Sequence, residues 1–245
     1  MYELRIVPFK PALILEGSKK KLIISDLHIG FENAFIANND HISRAIKDIT
    51  QDVENIINDT KPNSLIILGD VKSSIYDIST NEQNDIAFFF EKITKKTNVI
   101  LIPGNHDGNI QNLLPREITV TSSMGLIIDK ILLTHGHVKP STNLNVDKII
   151  MGHIHPTFFS DKSILNGMPV WVSIKTNKDC LFPSMSGLLE ITIIPSFNKY
   201  FRNVSRKFNR KSNSPILRRT KYLSAKIVSL DGTIIGDETI INNVI

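Results

Sequence analysis

Val99-Ile100-Leu101-Ile102-Pro103-Gly104-Asn105-His106-Asp107 is the stretch from which the fold can be read. Four apolar residues, rich in β-branched side chains, run into Pro-Gly and then into three polar ones. A short apolar run stopped by Pro-Gly predicts a strand buried on both faces and ended by a tight turn. The turn delivers an amide oxygen, an imidazole and a carboxylate to one point at the end of a sheet. Such a cluster is costly to desolvate unless something binds it. The pattern recurs four times. Residues 21–25 run into Asp26-Leu27-His28-Ile29-Gly30, and 65–68 into Gly69-Asp70. Residues 130–134 run into His135-Gly136-His137, and 148–151 into Gly152-His153-Ile154-His155-Pro156.

Between these strands the signals change period. Residues 4–7 and 12–15 predict an edge hairpin across Pro8 and Pro11. Asp40 reads as the N-cap of a helix in which Ile42, Ala45, Ile46, Ile49, Val53, Ile56 and Ile57 keep the 3–4 spacing of one apolar face to near Asp59. Thr80 with Gln83 matches a capping box, and Ile86, Phe89, Phe90 and Ile93 form the buried stripe of a second helix. Beyond Pro115 short strands are expected near 118–121, 124–128, 169–174, 187–194, 224–229 and 233–235, the last two joined by an Asp231-Gly232 turn. Helices alternate with strands in the first half, and hairpins dominate the second. This predicts an α/β fold of two mixed sheets packed face to face with helices outside. Ligands of open α/β sheets bind beyond the carboxyl ends of the strands, where all five polar clusters sit.

The totals exclude several classes. The 245 residues are 41% hydrophobic, ample for a core, and no apolar run approaches membrane-spanning length. The start, MYELRIVPFK, lacks the apolar centre of a signal peptide. Cys180 stands alone, which rules out an intrachain disulfide or a cysteine-based zinc site. A cytoplasmic protein without membrane association is the simple expectation.

Pooled, the clusters offer Asp26, His28, Asp70, Asn105, His135, His153 and His155 as metal ligands. Neutral imidazoles, carboxylates and one amide oxygen, with no thiolate, suit manganese, iron, zinc or nickel. Seven donors exceed what one ion takes while keeping an open position; they suit two ions, a shared carboxylate and exchangeable water. Two ions about 3.5–4 Å apart clamp an in-line displacement at phosphorus. The leaving oxygen then needs a general acid. His106 is the candidate, with Asp107 expected to orient its imidazole and raise its pKa.

Taken singly, each cluster is weak. A lone Asp-x-His is more often a surface loop, and Gly-Asp a turn. His135-Gly136-His137 and His153-Ile154-His155 weigh more, because alternate residues of an extended segment point to one side. Six of the seven histidines fall inside the clusters, with His41 outside, and scattered core histidines would not distribute so.

In combination and order, DLH, GD, GNHD, HGH and GHIH resemble the motif series of the calcineurin-like metallophosphoesterases. SDLHIGFE, LGDVK, LLTHGHVKP, GHIHPTF and IIPSFN look closer still to a prokaryotic, mainly archaeal group of SbcD-related phosphoesterases. The resemblance implies a four-layer α/β/β/α sandwich, with a metallophosphoesterase domain over 1–195 and a basic C-terminal segment with terminal strands over 196–245. It implies that Asp26, His28 and His155 hold one ion, that Asn105, His135 and His153 hold the other, and that Asp70 bridges. Manganese comes first among the ions. His106 matches the family's leaving-group acid, and His137 is expected on substrate phosphate together with Asn105 and His106. Lys72-Ser73-Ser74 departs from the pattern, since many members carry a different charged side chain there; this bears on substrate rather than on metals.

Charge is unevenly placed. Residues 196–226 hold ten Lys or Arg and no acid, and the rest of the chain holds 19 basic and 24 acidic residues, a net of −5. With Phe197, Tyr200, Phe201, Phe208 and Tyr222 interleaved, the segment has the composition of a nucleic-acid-binding arm. It equally suits an arm whose aromatics dock on the acidic body. Three functions are therefore expected in turn. The first is a dinuclear phosphodiesterase or nuclease acting on DNA or RNA. The second is a phosphoesterase for a small nucleotide or other phosphate ester, and the third a non-enzymatic scaffold. A homo-oligomer is left open.

Overall fold

The computed structural model describes residues 2–31, 42–160, 162–201 and 214–245. The expected N-cap Asp40 and residues 202–213 of the basic segment, Arg202, Arg206, Lys207, Phe208, Arg210 and Lys211 among them, lie outside the described residues.

Apolar runs too short for helices form two mixed sheets. The first runs β1 (Glu3–Ile6), β2 (Leu13–Glu16), β3 (Lys21–Ile24), β4 (Ser64–Ile67), β5 (Asn98–Leu101) and β6 (Thr119–Val120). The expected edge hairpin is antiparallel and leads into β3, whereas β3, β4, β5 and β6 are parallel. Parallel neighbours need long crossovers. Helix α1 (Ile42–Thr60) lies between β3 and β4, and α2 (Thr80–Thr94) between β4 and β5.

The second sheet orders as β14 (Ile234–Asp237), β13 (Ser224–Ser229), β11 (Met168–Asn177), β12 (Leu188–Ile193), β9 (Lys148–Met151), β8 (Ile131–Thr134) and β7 (Leu126–Ile128), with the short β10 (Thr157–Phe158) pairing to the start of β11. β8 is parallel to β9 and β9 to β12; the other pairs are antiparallel.

Alternation along the strands sorts the apolar residues into three cores. Ile23, Ile66, Leu133, Ile150 and Trp171 meet between the sheets. Their chain neighbours turn the other way: Leu22, Ile24, Leu65 and Ile67 pack on Ile49, Val53, Phe89 and Phe90 of the helices. Ile149, Met151, Val170 and Val172 face Phe182, Ile216, Leu217 and Ile241. Over this outer face, among the described residues, the covering layer is made of short 3-10 segments at 178–180, 217–219 and 238–243 rather than α-helices.

One cap differs from expectation. The N-cap of α2 is Ser79, whose hydroxyl accepts the Glu82 N–H at 3.2 Å, so the capping pair is not Thr80 with Gln83. The frame shifts by one residue because Ser79 holds an extended backbone, with φ −70° and ψ 155°, as a cap must.

The parallel registers decide where the polar turns go. Ile24 is level with Ile67, and Ile67 with Leu101, so Asp26, Asp70 and Asn105 leave the first sheet at one edge. Thr134 is level with Met151, so His135 and His153 leave the second sheet together.

Candidate metal centre

Five of the seven candidate donors sit on left-handed backbone. Asp26, His28, Asp70, His153 and His155 all have positive φ, at 58°, 40°, 51°, 70° and 50°. Left-handed backbone is costly for residues with a Cβ and clusters at functional sites. The turns hold one another: Asp26 N–H donates to Gly69 O, His28 N–H to Asp70 O and Gly152 N–H to His135 O. They also crowd, since a Cβ at Gly104 would strike Asp70 and one at Gly152 would strike Ser25 and Asp26. His153 and His155 each stand on a left-handed kink. The extended segment expected for this pair is not what forms.

The donors gather in two groups. Asp26, His28, Asp70 and His155 place one ligand atom each within 4.8 Å of one another, and so do Asp70, His135 and His153. Asn105 joins the second through its Oδ1, which lies 3.3 Å from His135 Nε2. Asp70 belongs to both. Its Oδ2 is 3.7 Å from His28 Nε2 and 3.2 Å from His135 Nε2, while its Oδ1 accepts the His106 N–H at 2.9 Å.

These residues fit divalent ions. His28 Nε2 and His155 Nε2 face each other at 3.3 Å, and His155 Nε2 lies 3.0 Å from Asp26 Oδ1. Two imidazole nitrogens and a carboxylate oxygen converging like this are what a cation resolves. For His135 an outer contact sets the tautomer, as a ligating histidine requires. His135 Nδ1–H donates to Leu68 O at 2.7 Å and so leaves Nε2 for the site.

Burial and neighbouring charge set the protonation states. Burial would raise the Asp26 carboxyl, but His155 and then His135 hold it below the usual range. Burial also opposes ionisation of Asp70, and the hydrogen bond from His135 outweighs it. Burial, reinforced by His155, takes His28 down to about 3. Burial and the charge of His135 take His153 to about 4. His135 goes the other way: burial would lower it, yet the bond to Asp70 and the charge of Asp26 raise it to about 9.

His106 stands at the rim, its Nε2 4.0 Å from Asp70 Oδ2 and its side chain 22% exposed. Its Nδ1–H donates to Ser73 O at 2.6 Å. The expected orienting contact from Asp107 is absent. Both Asp107 oxygens are taken by backbone, with Oδ1 accepting from Val71 and Lys72 at 2.9 and 3.4 Å and Oδ2 from Gly104 at 2.9 Å. Burial pushes this carboxyl up against those amides. Asp107 thus ties the turn of Gly104 to the loop after Asp70. His137 stands beside the second group, 5.2 Å from His135 between ring centroids, with burial taking it to about 4. It belongs to neither donor set.

Three participants escaped the sequence reading. Phe201 lies flat on His28 with centroids 3.9 Å apart. Asn198 places it, donating to Leu27 O and His28 O and accepting from the Tyr200 and Phe201 amides. Glu82, buried on α2, reaches the loop that carries Ser73. For Glu82 a local signal existed, the Ser79-x-x-Glu82 capping spacing.

With fold and site in place, a family model defines the class. The family model described as calcineurin-like phosphoesterase matches residues 19–167, well over half the chain, and the protein belongs to that family of metal-dependent phosphoester hydrolases. No curated protein sequence matches it. Among solved structures it is similar to the Pseudomonas putida nuclease MPE, at 16% identity over 94% of this chain and 98% of that one, with a TM-score of 0.55. It is also similar to Yfce, a phosphoesterase from E. coli, at 15% identity over 89% and 97% with a TM-score of 0.42.

Proposed function

We propose that this enzyme hydrolyses phosphodiester bonds, nucleic acid among them, with two divalent ions of which manganese is the first candidate. The sharing of Asp70 between two donor groups carries the reading. Asp26, His28 and His155 would hold one ion with Asp70, and Asn105, His135 and His153 would hold the other with the same carboxylate. When bound, such a pair supplies an activated water and neutralises charge developing at phosphorus. The protein's own part is positioning and proton delivery. Leu68 O and Ser73 O keep the rings of His135 and His106 turned so that each Nε2 faces the site. His106, protonated on both ring nitrogens, gives its Nε2 proton to the leaving oxygen and keeps its Nδ1–H on Ser73 O, and His137, beside His135 and His153, contacts the phosphate. The motif run from SDLHIGFE to IIPSFN favours the SbcD-related group within the family.

A second reading, a small phosphate-ester substrate, has its own support. Lys199 pairs with Asp48 and Asp52 at 3.7 and 3.9 Å, Tyr200 Oη donates to Asp48 at 2.8 Å, and Phe197 is buried. This part of the basic segment docks on the acidic body.

The test is elemental analysis of metal-reconstituted protein, paired with assays on an aryl phosphodiester, an aryl phosphomonoester and an oligonucleotide. Two equivalents of metal and turnover of the diester are expected, and Asp70→Ala should lose both ions together. An Asp70→Ala protein that keeps two ions would overturn the shared site.

A further inference from the structure

We propose that Glu82 is a positioning residue for His106 and acts through one peptide bond. The inference rests on His106 being the proton donor. Glu82 is a buried carboxylate, 1% exposed, and lies outside both donor groups. Its Oε1 accepts from Ser73 N–H at 2.9 Å and Ser74 N–H at 3.0 Å, and its Oε2 from the Ser74 hydroxyl at 2.5 Å. The Ser74 N–H belongs to the same peptide unit as the Ser73 carbonyl, which accepts the His106 Nδ1–H at 2.6 Å. The order is therefore imidazole N–H, carbonyl, amide N–H, carboxylate. Hydrogen bonds in such a chain polarise one another, so a negative charge on the amide end makes the carbonyl a stronger acceptor. A carboxylate on α2 thus orients the imidazole at one remove, the part Asp107 was expected to play directly.

The surroundings are shaped for this reach. Gly30, with φ +91°, has no Cβ, and one built there would meet Glu82 Cγ at 2.7 Å. Lys72, itself buried, donates Nζ–H to Ser74 O at 2.7 Å and Ile75 O at 3.3 Å, pinning the loop from its far side. As the third residue of α2, Glu82 would ordinarily turn back to its own cap. Here Ser79 caps the helix through the Glu82 N–H, and the carboxylate is turned to the 73–74 peptide instead.

The experiment compares Glu82→Ala and the near-isosteric Glu82→Gln with wild type and His106→Ala in the metal-loaded protein. Phosphodiesters with alkyl and nitrophenyl leaving groups are the substrates. Glu82→Ala should lower kcat for the alkyl diester roughly tenfold to a hundredfold, the scale on which a displaced catalytic group costs rate. KM, metal content and nitrophenyl turnover should change little, and Glu82→Gln should fall between. Nitrogen NMR of the metal-free protein gives a readout independent of activity. When neutral, as after giving up its Nε2 proton, the His106 ring of the wild type is the Nδ1–H tautomer bonded to Ser73 O, and the neutral Nε2–H form should gain population in Glu82→Ala and, less, in Glu82→Gln. Unchanged tautomer and alkyl-diester kcat in both variants would overturn the proposal, as would equal losses for the two leaving groups. If His106→Ala itself shows no leaving-group dependence, the donor role fails first and the proposal falls with it. If only the Glu82 variants show none, this inference alone is wrong.

Discussion

Phe201 and His28 lie face to face, 3.9 Å apart between ring centroids and 11° from parallel. The contact joins residues 173 positions apart in the sequence, one from the basic segment and one from the first polar turn. Phe201 also meets His155 edge-on at 4.8 Å, so a single aromatic covers two imidazoles of one donor group. It covers one face of a candidate ligand ring.

Phe201→Ala should therefore weaken metal binding at the Asp26–His28–His155 group by about threefold to tenfold, the 0.5–1.5 kcal/mol of an aromatic pair. Competition with a chromogenic chelator measures it, and the ion at His135 should hold its affinity. Equal weakening at both positions would mean that the stack supports the fold rather than the ligand.

The high value of His135 gives a pH dependence. Its folded-state value is raised from 6.5 to about 9, so its contribution to the metal-free fold is present below pH 6.5 and is lost as pH rises through 9. A metal needs the neutral ring, so affinity at this position should rise over the same window. Titration calorimetry at about pH 7.5 in buffers of different ionisation enthalpy should show close to one proton released for this ion. The other position should release little on account of His28, which is already neutral well above about 3.

His106→Ala should keep both ions and lose turnover of alkyl diesters by roughly 10²–10⁴-fold, the worth of a general acid. A nitrophenolate leaving group hardly needs a proton, so its loss should be much smaller. Loss of metal in this variant would make His106 a ligand instead.

The basic segment should bind polyanions without taking part in chemistry. Replacing Arg206, Lys207, Arg210 and Lys211 by Ser should flatten the salt dependence of DNA binding by up to about four units of log–log slope. Hydrolysis of a small diester should hardly change. Unaltered affinity and slope would move the small-substrate reading ahead, in line with the pairing of Lys199 to Asp48 and Asp52.

What the sequence determined by itself was local. Apolar runs such as 99–102 and their Pro-Gly or Gly-Asp stops marked strands and turns, because strand burial and turn chemistry are written in neighbouring residues. The seven candidate donors and His106 were legible as candidates for the same reason, each standing within five residues of the end of a strand. Tertiary structure alone decided how they combine. Asp26 meets His155 across 129 positions and His106 meets Ser73 across 33, and no local period encodes such contacts. The tertiary contacts gave Asp107 to backbone amides, bent His153 and His155 into left-handed backbone, and laid Phe201 on His28. Which oxygen, nitrogen or ring a side chain finally meets depends on how two sheets are packed, and that packing belongs to the whole chain.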